Sequence, residues 1–284
     1  MRAEFEEKTF ENAFNAEFSY CYGLGRVYSF GQVQEGRIGL DSALYLEKNY
    51  WLHLKFLSSP FLKGEHLPFI AERMEEFLNH RFSETFEMTV NLLLQYKRPE
   101  LLTTETAGEW EHWKKPYFRY VIDENQQTLL ERLSNQFGSQ ALVLYASPAF
   151  IKMKELQTAL QNKELINKTN FCPASKLTNH HSNTYIENGS YSIACSEPEE
   201  LEYFDLIQTL TQTSQAEFDA NSIIEFANTV SHIISENEIY GHYYLYRIEQ
   251  YSDFERYPLL FSHIRMRIFS DITGIQWGIV IQGK

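Results

Sequence analysis

The stretch Phe86 to Lys97, FEMTVNLLLQYK, constrains this chain most. It is a long apolar run of strand-forming residues, well short of the roughly 18 residues a membrane helix needs. Its end is unusual, because three leucines run straight into Gln95-Tyr96-Lys97-Arg98-Pro99. Side chains alternate along a strand, so Gln95 and Lys97 share one face and Tyr96 and Arg98 the other. A second run, Gln140 to Pro148, reads as a buried strand.

Helical periodicity surrounds these strands. Residues 3–22 read as a helix whose one face would carry Phe10, Ala13, Phe14, Glu17 and Phe18. Further helices are expected over 67–82, 125–137, 150–165, 201–213, 221–234 and 258–270, with a short one before Pro116. Extended segments are expected at 37–46 and its hairpin partner 50–56, at 117–122 and at 275–282. Residues 166–195 read as loop-rich with two short extended pieces. This order predicts an α/β fold with a mixed central sheet flanked by helices.

The chain has 284 residues, 43% of them hydrophobic, which suffices for a sizeable core in one large domain or two modest ones. Cys21, Cys172 and Cys195 are scattered and form no CxxC, which implies a reducing, cytoplasmic setting without structural disulfides. The acidic N-terminus reads as helical and not as a signal peptide, and no membrane span is expected. Net charge is -13 at pH 7, a balance that opposes nucleic-acid binding. Its distribution matters more than its sum. Residues 196–240 hold ten carboxylates and no Lys or Arg, so the remainder is near neutral. The acidic stretch reads as a solvated helical face that could dock a protein partner or activator.

Two carboxylates stand out. Glu17 lies between Phe14 and Phe18 on an apolar helix face, where it needs a cation, a metal or strong hydrogen bonds. Asp41 interrupts Ile38, Leu40, Ala43 and Leu44 in a strand that otherwise looks buried. Oxygen ligands of this kind can hold Mg²⁺ or Mn²⁺, and a neighbouring lysine can stabilise charge developing on a phosphate. The bland reading is that Asp41 and Glu17 pair with Arg26, Arg37 or Lys97 as structural ion pairs.

The segments FENAFNAEF (10–18), GRIGLDSALYL (36–46), NLLLQYKRP (91–99) and ALVLYASPAF (141–150) together resemble the PD-(D/E)XK nuclease superfamily. The Gln-x-Lys variant resembles its Mrr-like restriction branch. The resemblance implies a restriction-endonuclease-like core over residues 1–165, with a helical insertion near 60–85. Residues 166–284 then form a loop-rich segment and an acidic helical/β extension packed on that core. It implies Asp41, Gln95 and Glu17 as metal ligands and Lys97 as the lysine at the phosphate, with Glu11 the alternative helix acid. The implied activity is Mg²⁺- or Mn²⁺-dependent cleavage of double-stranded DNA by a homo-oligomer, in bacterial restriction or anti-phage defence. The rival is a catalytically inactive nucleic-acid-binding or protein-interaction subunit on the same fold.

Other features carry less. Arg98, Lys114, Lys115 and Arg119, interleaved with Trp110, Trp113, Tyr117 and Phe118, could line a DNA groove. Cys172, His180, His181 and Cys195 match no zinc spacing. The run YGHYYLYR (240–247) reads as a packed aromatic seam, with base stacking as the other use.

Overall fold

The computed structural model describes residues 1–21, 67–82, 88–187, 191–196, 198–212 and 219–282. The expected hairpin over 37–46 and 50–56, and Asp41 with it, lies outside those residues. Among the described residues the chain is mixed α/β with two sheets rather than one. The first sheet has the order β5-β4-β1-β9, from β1 (Met88–Tyr96), β4 (Ala141–Pro148), β5 (Thr169–Pro173) and β9 (Gln276–Gln282). β1 runs parallel to β4, with Asn91 opposite Ala141, and antiparallel to β9, with Leu94 opposite Gln276.

Helices cover both faces of this sheet, and the alternation along β1 sorts them. Leu93 points into a core built by α2 (Leu67–Phe82), α4 (Glu124–Phe137), α7 (Ala220–Ser235) and α9 (Pro258–Thr273). Val90, Leu92, Leu94 and Tyr96 point into a second core with α1 (Glu7–Cys21), α5 (Met153–Asn162) and α6 (Leu206–Gln212). The local signals explain these helices. Asp123 caps α4 by accepting from the Gln126 amide, and Gly138 ends it at φ 51°. Leu129, Leu130, Leu133 and Phe137 give α4 its buried stripe. Pro258 opens α9, and Gly274 stops it at φ 74°, a left-handed turn that favours glycine.

The second sheet is antiparallel, in the order β2-β3-β6-β7-β8. Its strands are β2 (Glu100–Leu102), β3 (Tyr117–Val121), β6 (Ser182–Tyr185), β7 (Ser192–Cys195) and β8 (Glu199–Leu201). Tyr120 stacks on Tyr145 with ring centroids 5.7 Å apart, and the Tyr185 hydroxyl donates to Ser147 Oγ at 2.8 Å. These contacts fasten the second sheet to the first. Its other side makes a small core of Trp113, Tyr117, Ile193 and Cys195, bordered by the short helix α3 (Trp110–Trp113).

Several expectations need correction. Residues 3–6 are not helical, because the N-terminal backbone pairs with the segment after β1: Ala3 N donates to Pro99 O and Leu101 N to Met1 O. The helix expected over 150–165 spans only Met153–Asn162, stopped by Lys163 in the left-handed region. The loop-rich stretch 166–195 contains three strands, since β5 completes one sheet and β6 and β7 build the other. Leu201 closes the strand Glu199–Leu201 rather than opening the helix expected over 201–213, which begins at Leu206. The run 240–247 is not a packed seam; it forms α8 (Gly241–Glu249), which buries Tyr244 and leaves Tyr243, Leu245 and Tyr246 about half exposed. β5 and β9 pair with β4 and β1, so the first sheet draws strands from both sides of residue 165. No helix among the described residues is long and apolar enough to cross a membrane.

Burial in α9 has a measurable cost. His263 lies against Trp277, with ring centroids 5.5 Å apart, and desolvation holds its imidazole down to about 4. The unfolded chain binds that proton near pH 6.5, so stability is complete above pH 6.5 and falls as pH drops towards 4. His263→Leu should remove about 2 kcal/mol of the stability lost between pH 7.5 and pH 5, read as the difference in urea midpoints. An identical pH dependence in both proteins would mean that folding leaves the His263 pKa at its unfolded value.

Candidate functional site

The first sheet delivers Gln95 and Lys97 to one place. Lys97 N donates to Ala146 O at 2.9 Å, so the parallel ladder with β4 continues past Tyr96. β9 starts opposite Leu94, so Gln95 and Lys97 project beyond its first rung, next to the end of α9. Both side chains are buried, at 4% and 8% exposure. They face the α4 side, whereas Tyr96 faces α1, as the alternation predicts.

One carboxamide joins them. Lys97 Nζ donates to Gln126 Oε1 at 2.8 Å, and Gln126 Nε2 donates to Gln95 Oε1 at 2.7 Å. The same Nε2 donates to the Thr273 carbonyl at 2.9 Å, an acceptor in the last turn of α9. Gln95 Nε2 donates to its neighbour's carbonyl, Tyr96 O, at 2.9 Å. The Lys97 ammonium sits 5.5 Å from the centre of the Tyr145 ring, a cation–π distance. The Lys97 carbonyl accepts from Ser147 Oγ at 3.1 Å, and Ser147 accepts from Tyr185. Backbone and side chain of Lys97 are thus both fixed.

The electrostatics are uneven. Burial lowers the Lys97 pKa, and the charges of Glu7 and Asp123 oppose that effect. Among the described residues Lys97 makes no salt bridge, and its side-chain hydrogen bond is to a neutral amide. Gln126, Glu7 and Asp123 were not singled out from the sequence. Asp123 carried a local signal, as an N-cap before an apolar-periodic run, but nothing in the sequence tied it to Lys97.

Glu17 is elsewhere. It is 3% exposed and accepts from the backbone amides of Leu165 at 3.0 Å and Ile166 at 3.1 Å, on the α1 side of the sheet. Its carboxylate therefore caps a turn of the backbone, and strong hydrogen bonds are what its burial required. Desolvation raises its pKa against the lowering effect of those two amides. Glu11, the alternative helix acid, is held by Lys8 at 2.5 Å, and burial raises its pKa. The structure brings neither to Gln95 and Lys97.

The expected basic wall divides in two. Arg98 is tied back to the N-terminal segment, with Nη1 at 2.8 Å from Glu6 Oε1 and Nε at 3.0 Å from Ala3 O. Arg119 pairs with Glu100 at 2.7 Å. Lys114 and Lys115 are exposed, and Lys114 ends α3 in the left-handed region. Trp113 donates to Thr184 Oγ1 at 3.1 Å and stacks on Tyr191, so it serves the small core of the second sheet. Cys172 and Cys195 are buried thiols, pushed up to about 12 and about 11 by desolvation, and they sit in different cores.

A magnesium ion takes about six oxygen ligands, usually with one or two carboxylates among them. Around Lys97 the described side chains offer neutral amide oxygens, Gln95 Oε1 and Gln126 Oε1, which already accept from Gln126 and from Lys97. Among the described residues no group of three or more His, Cys, Asp or Glu could hold a metal. The described residues alone therefore do not fit this ion. Compared with protein-family models, curated proteins and solved structures, the chain finds no match in any of the three.

Removing the Glu17 carboxylate orphans two buried amides. Glu17→Ala should lower stability by about 2 kcal/mol or more in urea titration, without changing the titration of Lys97. Unchanged stability would show that Glu17 has no capping role.

Proposed function

We propose that this chain is a metal-dependent DNA endonuclease that hydrolyses phosphodiesters, with Asp41, Gln95 and Lys97 as its site. One observation carries the reading: Lys97 is buried beside Gln95 at the carboxyl end of a central strand, without a carboxylate partner among the described residues. Burying an ammonium among neutral groups is costly, so its retention suits a site that receives an anion. The carboxyl ends of parallel strands are where open α/β sheets bind ligands. A phosphate oxygen meeting Lys97 would find a fixed cation in a desolvated setting, where its stabilisation of developing charge is strongest.

Asp41 enters from the resemblance alone, as a carboxylate ligand; among the described residues no carboxylate bonds to Gln95 or Lys97. Glu17 leaves the site, because its oxygens are occupied by Leu165 and Ile166. The substrate class is double-stranded DNA, with bacterial restriction or anti-phage defence as the setting and a homo-oligomer as the working form. A second reading is favoured by the neutrality of Gln95 and by its bond to Gln126: the same fold binding nucleic acid without cutting it.

Plasmid DNA incubated with Mg²⁺, Mn²⁺ or EDTA separates the two. The nuclease reading expects cutting with either metal, none in EDTA, and a loss of about 100-fold or more in both Asp41→Ala and Lys97→Ala. Binding without cutting establishes the second reading, and wild-type cutting by Lys97→Ala removes Lys97 from the chemistry. Lys114→Glu with Lys115→Glu should weaken DNA binding and reduce the salt slope of the affinity by about 2. An unchanged slope means that DNA does not run along α3.

A further inference from the structure

We propose that Gln126 is a positioning residue that holds Gln95 and Lys97 in one working geometry, an inference that rests on the nuclease reading. The geometry singles out this side chain. Gln126 is buried, and its carboxamide makes three hydrogen bonds: one accepted from Lys97 and two donated, to Gln95 Oε1 and Thr273 O.

The orientation of the amide is forced. Turned over, it would set its oxygen against two acceptors and its NH₂ against the Lys97 ammonium. The Thr273 carbonyl, an end-of-helix acceptor in α9, thereby fixes which way Gln126 points. Gln126 in turn fixes Gln95, whose oxygen keeps a second lone pair free for a ligand. The backbone of Gln126 is no looser, since its amide donates to the Asp123 cap at 2.9 Å. Gly274 borders the pair: a Cβ there would lie 3.9 Å from both Gln126 Nε2 and Gln95 Oε1. The end of α9 thus closes over the two amides, and this carboxamide joins β1, α4 and α9. Partners that orient the groups of a site typically contribute 10- to 100-fold to activity.

Two variants of the full chain separate the arms of the carboxamide. Gln126→Leu keeps the approximate volume and removes all three bonds. Gln126→Glu keeps an acceptor for Lys97 but, when ionised, no donor for Gln95 or Thr273. The first readout needs no activity: labelling of Lys97 by an amine-reactive ester at one fixed pH, followed by mass spectrometry. Labelling is expected to be several-fold faster in Gln126→Leu and as slow as wild type in Gln126→Glu. The second readout is cleavage. Gln126→Leu should lose turnover roughly 10- to 100-fold with DNA affinity unchanged, and Gln126→Glu should lose turnover as well. A lower melting temperature with wild-type labelling and turnover would make Gln126 a core residue only and overturn the proposal. If Gln126→Leu does not fold, Gln126→Glu decides, and fast labelling or full turnover in it overturns the proposal. If the wild type cuts no nucleic acid, the nuclease reading fails, while the labelling result still shows whether Gln126 holds Lys97.

Discussion

Strand β1 is bonded along both edges and covered on both faces. Its amides and carbonyls are taken by β4 and β9, and its side chains alternate between two helical layers. Such a strand has no freedom to slide, because a slip of one residue would drive Leu92, Leu94 and Tyr96 to the wrong side. Everything at its polar end inherits that register. Gln95 and Lys97 lie where they do because Val90, Leu92, Leu93 and Leu94 upstream cannot lie elsewhere. The same rigidity explains how an ammonium can stay buried with a neutral partner. The surrounding packing holds Lys97, Gln126 and Tyr145 in contact, and desolvation then acts on the ammonium rather than releasing it to water.

The two sheets divide the work. The first is a scaffold whose strand ends present side chains. The second reaches over from one side and fixes the backbone there, through Tyr185 to Ser147 and from Ser147 to the Lys97 carbonyl. Its far face is sealed by a separate small core around Trp113. Residues that looked available for nucleic acid are largely consumed by this construction. Arg98 anchors the N-terminal segment, Arg119 bridges β3 to β2, and Trp113 is a core residue. What remains exposed and basic in that region is the pair Lys114 and Lys115.

Much of the helical framework was legible in the sequence, because helices announce themselves locally. Helix α2 matches its expected span, and α4 is bounded by an Asp cap and a Gly stop that can be read directly. The placing of Gln95 and Lys97 on one face was legible too, since strand alternation needs no tertiary knowledge. Failures came where long-range pairing outweighed local pattern. Residues 3–6 have helical composition but bond to Pro99 and its neighbours. Short polar strands such as Ser182–Tyr185 exist only because a partner strand waits for them. Glu17 illustrates a subtler limit. Its burial was readable, but two backbone amides 148 and 149 residues away satisfy it, and no sequence spacing reports those. Gln126 was hidden for the same reason: a glutamine in the first turn of a helix is unremarkable until Gln95, Lys97 and Thr273 surround it.

The pairing of β9 with β1 also imposes an order in time. A ribosome delivers residues 88–96 long before residues 276–282, and contacts of such sequence separation form late and slowly. Until then one edge of β1 lacks this partner, and the acceptor that orients Gln126 has not been made. The nascent chain therefore passes through a stage in which an apolar strand edge is open to other chains and Gln95 and Lys97 lack their final alignment. The final alignment of Gln95 and Lys97 is therefore reached only when the segment through β9 has been synthesised and has docked.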